Sequence, residues 1–300
     1  MSPPQLRIGF VGFGEAGYRL AKGLGLAGLE QITAYDKFWD TPPYNELIQS
    51  RAKDAKVRIL PAVQKLASCS DFILSTVTVP VAKEAAEQIA AFLREEQTYV
   101  DMNSCSSHTK QDVALIINKS GAKFVDAAVI GAITSYGHKV PILACGDGAA
   151  EFQSRMSSYG MNIRCIEGNP GSAAAVKMLC SIYTKGLEAL LIETLVAAYR
   201  YDTLDLVLDL IAEATEGRPF KETVNRLVTT DVIHARRRAS EMNEVIATLN
   251  EVNIEPVMSK ATRTKLEQSV GLHLKEYFKG KIPEKYTEVL TAIDTLLKSK

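Results

Sequence analysis

The chain has two halves with different hydrophobic periods. In the first, short apolar runs rich in β-branched residues predict strands at Leu6–Val11, Ile32–Tyr35, Val57–Leu60, Phe72–Val77, Tyr99–Met102, Lys123–Ala127, Val140–Cys145 and Asn162–Ile166. Between several of them lie amphipathic stretches with helical spacing, Gly17–Ala27, Val81–Arg94 and Thr109–Lys119. Strand and helix in alternation predict βαβ units and a mainly parallel sheet. The pattern changes near Gly168-Asn169-Pro170-Gly171. From Ser172 to Tyr201 there is no proline, one internal glycine (Gly186) and no strand signal. That predicts a helix of about 30 residues, ~45 Å long at 1.5 Å per residue. Asp202–Glu213, Pro219–Leu227, Asp231–Leu249, Pro256–Ser269 and Pro283–Lys298 predict further helices, three of them with proline in the first turn, where it is tolerated. The expected organisation is an α/β domain over residues 1–168 and an all-α domain over residues 169–300, joined by the long helix.

Composition narrows the function classes. The 300 residues carry 35 Lys+Arg and 35 Asp+Glu, so bulk charge offers no reason to bind nucleic acid or an anionic membrane. No apolar run reaches the ~18 residues of a membrane span. Met1-Ser2-Pro3-Pro4 lacks a charged segment followed by a long apolar one, so no secretory leader is expected. The five cysteines are scattered without a CxxC pair, which reads as reduced thiols in a cytoplasmic protein. The four histidines are isolated, so no metal site is expected.

Candidate chemistry begins at the first strand's end. Gly12, Gly14 and Gly17 form GxGxxG, with a strand before and a helical pattern (Leu20, Ala21, Leu24) after. Gly12 suits a tight turn, Gly14 lets backbone approach a pyrophosphate, and Gly17 lets helix pack on strand. The helix start, with Glu15 and Ala16, supplies N–H groups and a partial positive charge for phosphates. The second strand ends at Asp36, 19 residues beyond Gly17. A carboxylate there can accept hydrogen bonds from ribose hydroxyls and repels a 2′-phosphate. The pattern therefore predicts NAD as cofactor, with NADP the alternative because Lys37 follows directly. Thr76, Val77 and Thr78 close the fourth strand, and Asn103 and Ser104 the fifth, where α/β sheets place ligands. These residues suit nicotinamide, ribose or substrate contacts; ordinary turn chemistry, with Ser106 or Ser107 as helix caps, is the other reading.

On the long helix, Lys177, Ser181, Thr184, Lys185 and Glu188 fall within about 100° of one face. The opposite face, with Leu179, Ile182, Gly186 and Leu190, can pack. The polar stripe is either a solvated face with helix ion pairs or a site in which a lysine beside the nicotinamide trades a proton during hydride transfer. Arg236, Arg237 and Arg238 are the densest basic run. Being consecutive on a helix they point in different directions, so one at most is a candidate for an anionic substrate.

At these residues the chain resembles the β-hydroxyacid dehydrogenase superfamily, which includes 3-hydroxyisobutyrate and 6-phosphogluconate dehydrogenases. The resemblance covers nearly the whole chain. It rests on Gly9–Gly17, on Asp126-Ala127-Ala128-Val129-Ile130-Gly131, and on Gly168 to Lys177, which is similar to the family's glycine-flanked catalytic lysine motif. It implies a Rossmann domain, a long interdomain helix, an all-helical C-terminal domain and a homodimer. It also implies Lys177 as the catalytic residue, Ser181 at the position beside it, and Ile130, Gly131 and Ala132 at the substrate loop; Ser104, from its strand end, and Lys185, from the polar stripe, are expected at the same small, anionic substrate. The chain departs from the family where Ile130-Gly131-Ala132 replaces Ser-Gly-Gly, and where Ser181 replaces an asparagine. The phosphogluconate enzymes also carry a helix glutamate that serves as acid near Thr184, which cannot donate in the same way. Val140–Leu143, Tyr183–Leu191 and Arg236–Met242 resemble a phosphogluconate-dehydrogenase-like subgroup with a C-terminal domain of uncharacterised function. The expected function is an NAD(P)-dependent oxidoreductase acting on a small hydroxy acid or related carbonyl. An imine reductase-like enzyme and a cofactor-binding regulator with little turnover are the alternatives.

Overall fold

The computed structural model describes residues 5–299. The opening Met1–Pro4, read above for its lack of a leader, lies outside them. Among the described residues the first half runs β1 (Arg7–Val11), α1 (Glu15–Leu26), β2 (Gln31–Tyr35), α2 (Tyr44–Ala55), β3 (Arg58–Ile59), α3 (Val63–Ser68) and β4 (Phe72–Ser75). It continues through α4 (Ala82–Ala90), β5 (Thr98–Asp101), α5 (Ser107–Asn118), β6 (Lys123–Val129), α6 (Ile133–Tyr136), β7 (Ile142–Cys145), α7 (Ala149–Ser157) and β8 (Ile163–Cys165). Each strand expected from the apolar runs is present, with ends moved by a residue or two, the usual latitude of such boundaries.

The strands form one eight-stranded sheet in the order β3-β2-β1-β4-β5-β6-β7-β8. Every neighbouring pair is parallel except β6 with β7. The strands alternate side chains between faces, so each face buries its own core. Leu20, Leu24, Ile48, Phe152 and Met156 of α1, α2 and α7 cover one face with Ile8 and Phe10 of β1. Leu66, Ile89, Val113 and Ile117 of α3, α4 and α5 cover the other with Val11 and Tyr99. The chain order reverses between β1 and β4, and the crevice beyond their carboxyl ends is where such a sheet receives a ligand.

The second half contains α8 (Ser172–Arg200), α9 (Leu204–Glu216), α10 (Phe220–Glu251), α11 (Val257–Gly271), α12 (Leu274–Tyr277) and α13 (Tyr286–Lys298). The compact units of the chain divide between Ile182 and Tyr183, inside α8. The division falls beyond the composition break at residue 168 because the first turn of α8 packs on the sheet: Ala173 is buried with Ala128 of β6 and Cys145 of β7. In the second unit Val232, Leu274, Val289 and Ala292 form the buried centre.

One expectation is corrected. Pro219–Leu227 and Asp231–Leu249 are not separate helices but parts of the continuous α10. Thr229 is buried in mid-helix, and its hydroxyl donates to the Asn225 carbonyl at 2.9 Å. Packing overrides the slight helix reluctance of the β-branched residues there. On the apolar side of the long helix, expected to be able to pack, Leu179, Ile182 and Leu190 are exposed among the described residues. Among the described residues, no helix is long and apolar enough to cross a membrane.

Candidate active site

The glycine loop joins β1 to α1 in a conformation that depends on its glycines. Gly12 has φ +86°, and a Cβ there would lie 2.8 Å from Val77 Cγ1 and 2.9 Å from the Thr76 carbonyl oxygen. Its N–H donates to the Tyr35 carbonyl at 2.8 Å, and its own carbonyl accepts from Thr76 Oγ1 at 2.8 Å. A Cβ on Gly17 would meet the Gly12 carbonyl at 2.7 Å, so α1 sits directly on the loop. At Gly14, the residue before α1, nothing lies within 4 Å of an added Cβ. That open approach to a helix start fits a pyrophosphate.

Asp36 stands beside this loop. Its Oδ2 accepts from the Phe13 N–H at 2.8 Å and its Oδ1 from the Phe38 N–H at 3.0 Å. The carboxylate thus braces the loop and keeps further acceptor capacity for ribose hydroxyls. Gly12, Gly14, Asp36, Thr76, Val77 and Thr78 border a cavity of about 210 Å³. The Lys37 ammonium lies 4.9 Å from the centre of the Phe38 ring, a cation–π contact at the same rim. Tyr35, Phe38 and Gln88 also line this cavity, and sequence reasoning missed them. Only an end-of-strand position hinted at Tyr35 and Phe38; nothing in the pattern marked Gln88.

A second cavity, of about 610 Å³, continues from Thr76, Val77 and Thr78. Glu15, Ala16, Asn103, Ser104, Gly131 and Lys177 border it. The Lys177 ammonium donates to Ser104 Oγ at 2.7 Å, which joins the long helix to the loop after β5. Asn103 is buried and donates through Nδ2 to Ser75 Oγ at 3.0 Å, while its Oδ1 is a buried acceptor without a hydrogen bond. An acceptor of that kind at the cavity fits the amide of a nicotinamide. Ser106 is the cap of α5, accepting from the Thr109 N–H at 3.2 Å, as the turn-chemistry reading of this loop expects.

Other expected residues lie elsewhere. Ile130 does not line the cavity but packs with Ala128, Cys145 and Ala173, and Ala132 is exposed outside it. Ser181 turns its hydroxyl back on its own helix, donating to the Lys177 carbonyl at 3.0 Å. Lys185 is exposed and falls in the second compact unit. Arg237 pairs with Glu241, and Arg238 donates to Thr230 Oγ1 at 2.8 Å. Val79 and Pro80, which continue the loop after the fourth strand, also border the cavity, as does Thr134, which was not anticipated. Burial pushes the Cys105 and Cys145 thiols up from their ordinary range, which keeps them protonated and poorly nucleophilic.

A doubly wound sheet with a braced glycine loop, an acid at the end of β2 and an open helix start defines a dinucleotide-binding protein. Residues 7–159 match the NAD binding domain of 6-phosphogluconate dehydrogenase, and the chain belongs to that family. Residues 198–269 match a domain of unknown function, DUF1932. An uncharacterised 28.5 kDa protein of Methanothermus fervidus is 31% identical over 258 residues, covering 86% of this chain and 96% of that protein. A solved conserved protein of unknown function, described as structurally similar to 3-hydroxyacid dehydrogenases, is 36% identical with a TM-score of 0.59, covering 92% of this chain and 100% of that one. An imine reductase from Myxococcus stipitatus in complex with NADP+ shares the fold at 14% identity with a TM-score of 0.71, covering 95% and 99%.

Proposed function

We propose that this protein is an NAD(P)-dependent oxidoreductase that moves a hydride between the nicotinamide and a small hydroxy acid or related carbonyl, with Lys177 handling the proton. The observation that carries the reading is the Lys177–Ser104 pair at 2.7 Å on the cavity that continues from the nucleotide loop. The nicotinamide, when bound, supplies the hydride chemistry. The chain supplies the rest. The Gly12–Gly14 loop and Asp36 hold the nucleotide. Asn103 orients its amide end. In reduction the Lys177 ammonium donates a hydrogen bond to the carbonyl oxygen and gives it the proton; in oxidation the neutral Lys177 amine takes the proton that the hydroxyl gives up. Among the described residues lining the cavity Lys177 is the one cation, so it is also the group that would attract an anionic substrate.

Lys177→Met keeps the stem and removes the charge. It should leave NAD binding nearly unchanged and lower kcat at least ~10²-fold, the range of general acid–base catalysis. Lys177→Arg should rescue poorly, because arginine keeps its proton. Near-normal turnover of Lys177→Met on an identified substrate would place the chemistry elsewhere. Reduction of imines is the second reading. It is favoured by the apolar part of the lining, with Leu20, Val129 and Ile133. Panels of hydroxy acids and of amines, followed by NADH formation, separate the two.

The proposal includes a homodimer in the cytoplasm. All five cysteines are free thiols, which suits a reducing compartment. In the second unit Leu187, Leu191, Leu195 and Leu204 line an apolar groove of about 680 Å³ that a second copy would cover. Light scattering should give twice 32.8 kDa at micromolar concentration; a particle of 32.8 kDa would refute the dimer.

A further inference from the structure

Next to the Lys177–Ser104 pair lie three charged side chains with no exposure at all. Lys110 of α5, Asp101 at the end of β5 and Asp126 of β6 are each 0% exposed. The Lys110 ammonium donates to the Asp101 carbonyl at 2.6 Å and lies 2.9 Å from Asp101 Oδ1 and 3.4 Å from Asp126 Oδ1. Each carboxylate is tied in turn to one side of the cavity. Asp101 Oδ1 accepts from the Asn103 N–H at 2.9 Å, one residue before Ser104. Asp126 Oδ2 accepts from the N–H groups of Gly171, just before α8, and of Ala174, in its first turn and one turn before Lys177, both at 3.0 Å. Cys145 adds a weak S–H bond to the same oxygen at 3.7 Å.

Two carboxylates against one ammonium leave an excess negative charge. The first-turn N–H groups of α8 face it, which is where a helix favours an anion. Burying such a cluster opposes folding, and apolar packing of equal volume would serve stability as well or better. What charges add over apolar packing is direction, because ion pairs and charge-assisted hydrogen bonds hold few geometries. Lys110 cannot reach solvent or substrate, so it acts only through its two carboxylates.

We propose that Lys110 is a positioning residue: by engaging Asp101 and Asp126 together, it fixes the start of α8, which carries Lys177, against the loop that carries Ser104. The proposal rests on the reading of Lys177 as the group that meets substrate. Its test needs no turnover, so the failure of either can be told from the failure of the other.

In the full-length protein, acetylation of Lys177 by an N-hydroxysuccinimide acetate is followed by mass spectrometry, with the exposed Lys83 and Lys298 as internal references. Ser104→Ala shows the rate when the serine partner is removed. Lys110→Met keeps the stem and removes the charge. In folded protein, verified by circular dichroism and NADH binding, it should make Lys177 label at least about fivefold faster relative to the references. A folded Lys110→Met with wild-type labelling would overturn the proposal. The double variant Lys110→Met/Asp101→Asn removes one charge of each sign and so relieves the unbalanced burial; it also covers the case in which the single variant does not fold. If Lys110 positions the helix start, labelling in the double variant stays fast. If Lys110 only neutralises buried charge, labelling returns to wild type, and the proposal fails.

Discussion

Replacing Asp36 by alanine separates two jobs that one carboxylate does. In the free protein it accepts two backbone N–H groups, Phe13 at 2.8 Å and Phe38 at 3.0 Å. Charge-assisted bonds of this kind are worth ~1.5–3 kcal/mol each, but the site is partly exposed and water can replace them, so Asp36→Ala should lower stability by ~1–2 kcal/mol in total. In the proposed bound state the carboxylate is also the acceptor for the ribose hydroxyls. Losing those bonds should weaken NAD(H) by ~1–3 kcal/mol, a rise in Kd of roughly 5- to 150-fold. For NADP(H) the same change removes a repulsion from the 2′-phosphate, so its affinity should hold or improve. Trp39 is the single tryptophan, and its backbone N–H donates to the Asp36 carbonyl at 3.0 Å. Its fluorescence, with that of the reduced nicotinamide as a second signal, follows titrations of both cofactors in both proteins. Wild type should prefer NADH, and Asp36→Ala should narrow or reverse the ratio. Equal weakening of both cofactors would show that Asp36 acts only by bracing the Phe13 loop; an initial preference for NADPH would mean that Lys37 or another cation decides.

Gly17→Ala forces a Cβ to 2.7 Å from the Gly12 carbonyl, so it should cost ~1–3 kcal/mol of stability by overpacking and weaken both cofactors alike; denaturant midpoints and the same titrations check this. In the second unit Glu193 accepts from the Met258 and Ser259 N–H groups at 2.7 and 2.9 Å and from Ser259 Oγ at 2.7 Å. Burial pushes its carboxyl up, but the bonds from Ser259 and from the backbone N–H groups outweigh this and hold it below the usual glutamate value. Its stabilisation is therefore full above the ordinary value of about 4.3 and is lost as pH falls through the lowered one. Glu193→Gln should cost about 1 kcal/mol at pH 7, the scale of a lost helix cap, and progressively less below about pH 4; an unchanged deficit in strongly acidic unfolding curves would contradict the role.

Reading the chain residue by residue went furthest where local pattern and local chemistry coincide. Alternating periods announced the eight strands, and GxGxxG followed by an acid at the end of β2 announced the nucleotide loop, because turn, helix start and acid lie within one βαβ unit. The join between Lys177 and Ser104 spans much of the chain and needed the sheet to bring the end of β5 beside the start of α8. Even so, both residues were marked beforehand, one by resemblance and one by its place at a strand end. Ile130 was marked too, but β6 turns it toward Ala173 and away from the cavity. Lys110 shows the opposite failure. It shares the apolar face of α5 with Val113, Ala114 and Ile117, at helical spacing, so its position signalled burial. Its charge argued for solvent, and only the sheet, by setting Asp101 and Asp126 on adjacent strands at matching register, supplies the counterions that let it go inside. Periodicity is a property of neighbours along the chain and could be read there. Compensation of a buried charge depends on groups brought together by strand order, and tertiary structure alone decides it.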